Sequence, residues 1–166
     1  MARTGRSGIR YGVLIVVVLA IGLGFAADSS RWQTIEMGQL VGFRGVIVPP
    51  VERTDTADLV DCGTFDADGY STLVVNLAGE MKDRPAKAGV IGALLIPDVP
   101  PFNKAYANLL LLPVPLEIAA PVTGQGFPYF MAKQTRFEVG FPRYRLLLYN
   151  STGSSATVTV TVYRAH

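Results

Sequence analysis

The stretch RYRLLLYNSTGSSATVTVTVYR, from Arg143 to Arg164, decides the fold class. In its second half Val158, Val160 and Val162 alternate with threonines, which is the two-residue period of a strand with one buried face. In its first half apolar side chains occupy both faces, so we expect a central strand that is covered on both sides. The Asn, Ser and Gly residues between the two halves predict a hairpin turn. The stretch therefore predicts an antiparallel sheet.

The same period appears earlier in the chain. YSTLVVNLAG places Leu73, Val75 and Leu77 on one face. Further candidate strands are QLVGFRGVIV (39–48), AGVIGALLI (88–96), NLLLL with VPLEIAA (108–120) and YFMAKQTRFEV (129–139). Glycine and proline separate these segments, and no amphipathic helix is predicted after residue 32. We therefore expect an all-β fold, an antiparallel two-sheet β-sandwich.

An apolar run precedes this domain. Residues 11–27 carry no charge and would form a helix of about 25 Å, close to the roughly 30 Å of a membrane's hydrocarbon core. A secretory signal peptide has the same form, and Gly24-Phe25-Ala26 fits a cleavage site, so both interpretations stay open. The β-branched block Ile15–Val18 lengthens the apolar core and favours a retained transmembrane helix.

The predicted helix has an orientation and a packing face. The arginines before it place the N-terminus in the cytoplasm and the domain in a periplasmic or other extracytoplasmic space. Small residues four apart, Ala20 with Gly24 and Gly22 with Ala26, would let a second helix approach closely. The predicted organisation is a basic cytoplasmic tail (1–10), a single transmembrane helix (11–27), a linker (28–35) and an exported β-sandwich (36–166).

The charge of the domain excludes one class of partner. Of 15 Lys and Arg residues, Arg3, Arg6 and Arg10 precede the apolar run, which leaves 12 against 13 Asp and Glu. A nucleic-acid-binding domain normally carries a basic stripe, and this near-neutral domain has none. We expect no nucleic-acid partner.

The residues that most enzymes need are scarce in this chain. The one His is His166 and the one Cys is Cys62, so a zinc cluster, a Cys-His pair or a Ser-His-Asp triad is hard to build. No phosphate-binding or dinucleotide-binding motif is present. We therefore predict no catalytic residue, no cofactor and no enzymatic activity. We also expect Cys62 to be buried and inert.

Two short polar motifs have an alternative functional interpretation. Asp66 and Asp68, followed by Gly69, resemble part of a calcium loop, but DADG is also ordinary turn chemistry, which we favour. Asn150-Ser151-Thr152 fits a glycosylation sequon, although its composition fits a turn better. These aspartates are the only candidate metal ligands.

A proline-rich segment from Pro97 to Pro128 holds seven of the eleven prolines and many Leu, Val and Ile residues. Prolines are tolerated in a strand only at a sheet edge, so this segment predicts an edge that either docks a partner or the membrane surface, or folds back over the core. The candidate interface residues are Trp32, Phe102, Leu112, Val114, Leu116 and Ile118.

Arginines on one candidate strand form a possible ligand site. Arg143 and Arg145 share a face with Tyr149, and arginine beside an aromatic ring can recognise a carboxylate or a sugar. Such arginines more often pair with nearby acids, here the aspartates between residues 55 and 68. We favour this structural role.

The segments ADGYSTLVVNL and FEVGFPRYRLLLYNSTGSSATVTVTVY resemble the opening and closing strands of discoidin-like, galactose-binding-like jelly rolls, which occur in phage tail and bacterial surface proteins. The resemblance implies an eight-stranded jelly roll with a binding rather than a catalytic role. The apolar, proline-rich middle of the chain departs from the polar segment that this family usually has there, which argues against sugar binding.

Three functions are compatible with these features. The leading hypothesis is a non-catalytic, single-span accessory subunit that docks its β-sandwich onto integral membrane subunits of a larger complex, such as a respiratory or photosynthetic one, and contacts membrane lipid. The alternative is a secreted or tethered carbohydrate-binding jelly roll that would use Arg143, Arg145 and Tyr149. The third is a subunit of a surface filament or coat.

Overall fold

The computed structural model describes residues 33–51, 59–100, 102, 116–123 and 128–166, and within them the chain forms ten β-strands. In chain order they are β1 (Gln33–Met37), β2 (Leu40–Val48), β3 (Val60–Asp66), β4 (Thr72–Met81), β5 (Gly89–Pro97), β6 (Leu116–Val122), β7 (Tyr129–Met131), β8 (Thr135–Glu138), β9 (Arg143–Asn150) and β10 (Ala156–Ala165). The all-β prediction is confirmed.

The strands form two antiparallel sheets. Sheet A has the order β1-β2-β10-β4, and the far side of β4 pairs with both short strands β7 and β8. Sheet B has the order β3-β9-β5-β6. Most consecutive strands lie in different sheets, so the chain repeatedly crosses between them. The two-sheet antiparallel prediction is confirmed.

The core lies between the inner faces of the two sheets. Leu73, Val75 and Leu77 of β4 are buried, as are the alternating valines Val158, Val160 and Val162 of β10. Sheet B contributes Tyr144, Leu146 and Leu148 of β9. The predicted alternation on these strands is confirmed, because the apolar side of each strand faces the opposite sheet.

Aromatic rings join the two sheets near one end of the core. The ring of Phe43 on β2 meets the ring of Phe65 on β3 edge-to-face at 6.3 Å, and Phe65 stacks on Tyr144 at 6.1 Å. Offset and edge-to-face pairs of this kind add to the stabilisation from burial alone. This cluster fixes which faces of the two sheets are turned towards each other.

The central strand prediction for RYRLLLYN is also confirmed. β9 lies between β3 and β5, and its last five residues are all buried, including Leu147 and Tyr149 on the side turned away from sheet A. Leu94 and Ile96 of β5 are buried on that same outer side. Sheet B is therefore covered on both faces.

The predicted hairpin between β9 and β10 is wrong. β9 belongs to sheet B and β10 to sheet A, so residues 151–155 carry the chain from one sheet to the other. The reason is the side chain of Asn150, which is fully buried. Its amide nitrogen donates to the carbonyl oxygens of Val48 at 3.1 Å and Ser154 at 2.7 Å. These bonds hold the end of β9 against β2.

The other polar atom of the Asn150 side chain is also bonded. Its oxygen accepts hydrogen bonds from the backbone nitrogen of Thr152 at 3.0 Å and from the Thr152 hydroxyl at 2.7 Å. The Asn150 backbone pairs with Val51, which follows β2. The sequon asparagine is thus a buried structural residue, and a glycan on it is incompatible with this fold.

Three further details differ from the sequence predictions. Residues 129–139 form two strands, β7 and β8, because the register against β4 shifts by one residue between Ala132, whose backbone nitrogen donates to Leu77, and Thr135. β1 was not predicted, and it begins at Gln33, within the segment 28–35 assigned to the linker. β3 was not predicted either, because its aspartates made the segment resemble a loop.

Among the described residues, no helix has the length and apolar character required to cross a membrane. The predicted transmembrane helix at 11–27, with Ala20, Gly22, Gly24 and Ala26, lies outside the described residues.

Replacement of Asn150 by alanine removes the bonds that hold the two sheets together at the crossover. We expect Asn150→Ala to lower the free energy of unfolding by about 3 kcal/mol, because buried carbonyl groups lose their donors. Asn76→Ala, on an exposed position of β4, is the matched control and should change it by less than about 0.5 kcal/mol. Urea unfolding followed by circular dichroism measures both. A loss below about 1 kcal/mol for Asn150→Ala would contradict this role.

The thiol of Cys62 should be inert in the folded chain. Burial, with a smaller effect from Asp61, raises the pKa of Cys62 to about 12, so little thiolate forms near neutral pH. We expect iodoacetamide at pH 8 to modify the thiol only after denaturation, as measured by intact mass. The matched control is Thr64→Cys in a Cys62→Ala background, at an exposed position of the same strand. Equal rates for the two native proteins would disprove the assignment.

Candidate functional site

The face of sheet A that points away from sheet B carries an unusual group of side chains, and we call it the exposed face of sheet A. The large apolar side chains that are solvent-exposed in the described part of the chain all lie on it, with exposed fractions from 44% for Tyr163 to 76% for Met131. The full set is Met37, Ile47, Tyr129, Met131 and Tyr163. An apolar group of this size on one face is a feature of binding surfaces.

The register of the strands explains why these residues share a face. Ile47 is paired with Thr157, and Met131 is paired with Ala78, so they lie on the same side as the threonines of β10. Met37 is paired with Leu40, which in turn is paired with Tyr163. The strand neighbours of Ile47 and Met131 point into the core, because side chains alternate along a strand, whereas Glu36 beside Met37 is exposed and pairs with Arg164.

A groove runs along one part of the exposed face. It has a volume of about 560 Å³, and it is lined by the small residues Ala78, Gly79, Thr157 and Thr159 and by the exposed carboxylate of Glu80. The bulky side chains of Tyr129 and Met131 on β7 line it as well. Small residues in the middle strands beside larger ones on β7 give this face a concave shape that can receive an apolar side chain or a short segment of a partner.

The outer side of sheet B, in contrast, is occupied by contacts within the domain. Arg145 on β9 lies 2.6 Å from Asp61 and 3.4 Å from Asp98, and Arg143 lies 3.0 Å from Asp98. Burial opposes the charge on Arg145, but the hydrogen bonds and charges of the two aspartates outweigh it and raise its pKa above the ordinary value. The predicted pairing with an acid between residues 55 and 68 is found at Asp61, whereas Asp98 was not foreseen.

Tyr149, the third predicted ligand residue, is also engaged. Its hydroxyl donates a 2.5 Å hydrogen bond to Glu117 on β6. Its ring lies across Gly92 on the neighbouring strand, so closely that a Cβ at Gly92 would overlap the ring. Arg143, Arg145 and Tyr149 therefore lie on one face, as predicted, and they hold β9 to its neighbours.

Arg164 is a structural residue that the sequence analysis did not single out. Its guanidinium is almost fully buried and donates to the carbonyl oxygens of Asp66, at 2.7 Å, and Gly38. It also pairs with Glu36 at 3.1 Å and lies over the ring of Tyr70 at 5.1 Å. It thereby connects the β1–β2 turn of sheet A to the end of β3 in sheet B. The signal for Arg164 in the sequence is a charged residue on the face of β10 that the alternation of Val158, Val160 and Val162 predicts to be buried.

The two candidate calcium ligands lie in and beside a turn. The backbone nitrogen of Tyr70 donates to the carbonyl of Ala67 at 3.2 Å, which closes a turn around Asp68 and Gly69. Gly69 has a φ of +79°, which glycine adopts without strain. Within the described part of the chain, no group of three or more His, Cys, Asp or Glu side chains is arranged to hold a metal ion. The turn geometry agrees with the favoured interpretation of DADG.

The candidate interface residues of the proline-rich segment are only partly described. Ile118 is buried in the core, Leu116 is half-buried beside it, and Phe102 packs edge-to-face on Phe141 at 5.2 Å. Ile118 thus belongs to the interior of this domain rather than to a docking surface, because β6 directs it towards sheet A. β6 is an edge strand of sheet B, as the proline-rich segment predicted. Leu112, Val114 and Trp32 lie outside the described residues.

The arginine network on sheet B should contribute to stability. We expect Arg145→Ala to lower the free energy of unfolding by about 1 to 2 kcal/mol, because it leaves the mostly buried Asp98 with fewer partners while solvent screens Asp61. Arg44→Ala, at an exposed arginine of β2, should change it by less than about 0.5 kcal/mol. Urea unfolding compares the two. Equal losses of unfolding free energy in the two variants would show that the ion pairs of Arg145 do not stabilise the fold.

Comparison with known proteins leaves the chain without an assigned relative. No protein family model matches it, and neither does any curated protein. A solved structure described as CapF with the inhibitor 3-isopropenyl-tropolone is similar at 10% sequence identity and a TM-score of 0.25, over 81% of this chain and 30% of that one. At that score the similarity supports no conclusion about fold or function.

Proposed function

We propose that this chain is a non-catalytic, single-span accessory subunit that docks the exposed face of sheet A onto an integral membrane protein of a larger complex. The observation that carries the proposal is the concentration of Met37, Ile47, Tyr129, Met131 and Tyr163 on one face. Tyrosine and methionine are enriched in the cores of protein interfaces, and large apolar groups are rarely left exposed together on monomers. The partner surface should be mainly apolar.

The length of the chain before the domain supports a partner at the membrane. If residues 11–27 form the retained span, residues 28–32 connect it to β1, which begins at Gln33. Five extended residues reach at most about 18 Å. A retained span would therefore keep the domain at the membrane, where integral membrane proteins are available as partners.

The topology supports a binding role. Repeated crossing of the chain between two antiparallel sheets fits a jelly roll, the fold that the sequence resemblance implies. Jelly rolls commonly serve as scaffolds for binding. The proposal therefore keeps the jelly-roll assignment and places the binding surface on a sheet face instead of on the arginines of β9.

The carbohydrate-binding alternative has less support. Sugar recognition through Arg145 and Tyr149 would compete with the bonds from Arg145 to Asp61 and Asp98 and from Tyr149 to Glu117. Breaking these partly buried ion pairs and hydrogen bonds costs free energy. The contacts with a sugar would have to compensate for that cost. The surface filament alternative requires open-ended association, which is opposed by Pro121 in β6, the register shift in β3 and the short strands β7 and β8.

Photo-crosslinking in native membranes tests the proposed docking face. We expect p-benzoylphenylalanine in place of Ile47 or of Met131 to give adducts with the same integral membrane protein, because both positions lie on the exposed face of sheet A. The same group in place of Thr64, which is exposed on sheet B, is the control and should give no such adduct. Mass spectrometry of the adducts identifies the partner.

Three results would contradict the proposal. Equal adducts from Thr64 would show that the contact is not specific to sheet A. Adducts with lipid alone would mean that the face lies on the membrane surface. Absence of adducts from both test positions would leave the face without a partner.

Substitution on the same face tests its energetic contribution. We expect Ile47→Glu to reduce the amount of partner that co-purifies in mild detergent by about tenfold, because a buried carboxylate at an apolar contact costs more than 1.4 kcal/mol. Thr64→Glu should leave co-purification unchanged. Both positions are exposed, so both variants should keep the unfolding transition of the original chain. Equal co-purification of the two variants would disprove the docking face.

A further inference from the structure

The free edges of the two sheets differ in their protection against the addition of another strand. Edge strands are normally protected by proline, by bulges, by charges or by being short. In sheet B, β6 contains Pro121, and the pairing of β3 with β9 has a register shift between Asp61 and Thr64. At the far edge of sheet A, pairing is divided between β7, with three residues, and β8, with four. These three edges are poor templates for another strand.

β1 is the exception among the described edges. Its five residues, QTIEM, contain no proline or glycine, and their one charged residue, Glu36, is paired with Arg164 of the same domain. They pair with β2 in one continuous register, from Gln33 opposite Arg44 to Met37 opposite Leu40. In the described part of the chain β1 pairs with β2 alone, so alternate N–H and C=O groups on its other side are directed outward. This edge has the features of a strand that accepts a partner.

We propose that β1 pairs with β1 of a second copy of this chain, antiparallel across a two-fold axis at Ile35. In this register Gln33 lies opposite Met37 of the second copy, and Thr34 lies opposite Glu36. No like charges are then directly opposed, and like charges in that position are destabilising. A register centred on Glu36 would instead oppose two carboxylates. The register centred on Ile35 thus pairs all five residues of β1 without opposing like charges.

Two-fold pairing also explains why association would stop at a dimer. An antiparallel contact uses the same edge of both chains, so neither copy keeps a free β1. The remaining edges carry the protective features described above. The two six-stranded sheets would join into one sheet of twelve strands, and their exposed faces would lie side by side. The inference therefore goes beyond the proposed docking and does not depend on it.

Disulfide trapping in the full chain in mild detergent tests the register. In a Cys62→Ala background, we expect Ile35→Cys to form an intermolecular disulfide readily, because opposed residues on paired strands are close enough for one. Thr64→Cys, on the edge strand of sheet B, is the control and should form little. Non-reducing electrophoresis measures both. Equal yields at the two positions, or a disulfide from Ile35→Cys to a different protein, would overturn the proposal.

A charge variant tests the dimer without a covalent bond. Native mass spectrometry of the unmodified chain in detergent should show a dimer. Ile35→Lys opposes two like charges across the two-fold axis and should raise the dissociation constant by about tenfold, which corresponds to 1.4 kcal/mol. Thr64→Lys, at an exposed position of sheet B, should leave the dimer unchanged, and circular dichroism checks that both variants are folded. A monomeric unmodified chain, or a dimer insensitive to Ile35→Lys, would overturn the inference.

Discussion

The buried amide of Asn150 is the interaction on which the rest of the structure depends. Its nitrogen donates to Val48 in sheet A and to Ser154 in the connection, and its oxygen accepts from Thr152. A buried amide without these partners would cost about 1 to 3 kcal/mol, so the connection after β9 adopts the one path that satisfies it. That path carries the chain into the other sheet, where β10 becomes the central strand between β2 and β4.

The placement of β10 determines which surfaces remain for function. Its valines complete the core, and its threonines lie on the exposed face of sheet A beside Ile47 and Ala78. On sheet B the outer side is already covered, since Leu94 and Leu147 are buried there and Arg145 pairs with two aspartates. The sandwich thus leaves the exposed face of sheet A, with its five exposed apolar side chains, uncovered by sheet B, and this is the basis of the proposed docking.

The sequence predicted the parts of the fold that follow from period-two alternation. Val158, Val160 and Val162 identified β10, and the apolar residues on both faces of β9 identified a central strand. The crossover at Asn150 was missed because NSTGSS has the composition of a turn, and only the tertiary contact with Val48 distinguishes the two. The exposed face was missed for a similar reason. Met131 and Ile47 have the same apolar character as core residues, and their exposure depends on which side the second sheet covers.

Hydroxyl-radical footprinting tests the central claim, that the exposed face of sheet A is covered by a partner, most directly. Methionine and tyrosine react readily with these radicals, and Met37, Tyr129, Met131 and Tyr163 supply four reporters on this face. The account predicts that all four are oxidised several times more slowly in native membranes than in the purified chain in detergent, while the half-buried Tyr70 beside Arg164 reacts at the same rate in both. Equal oxidation of the four reporters in the two preparations would contradict it.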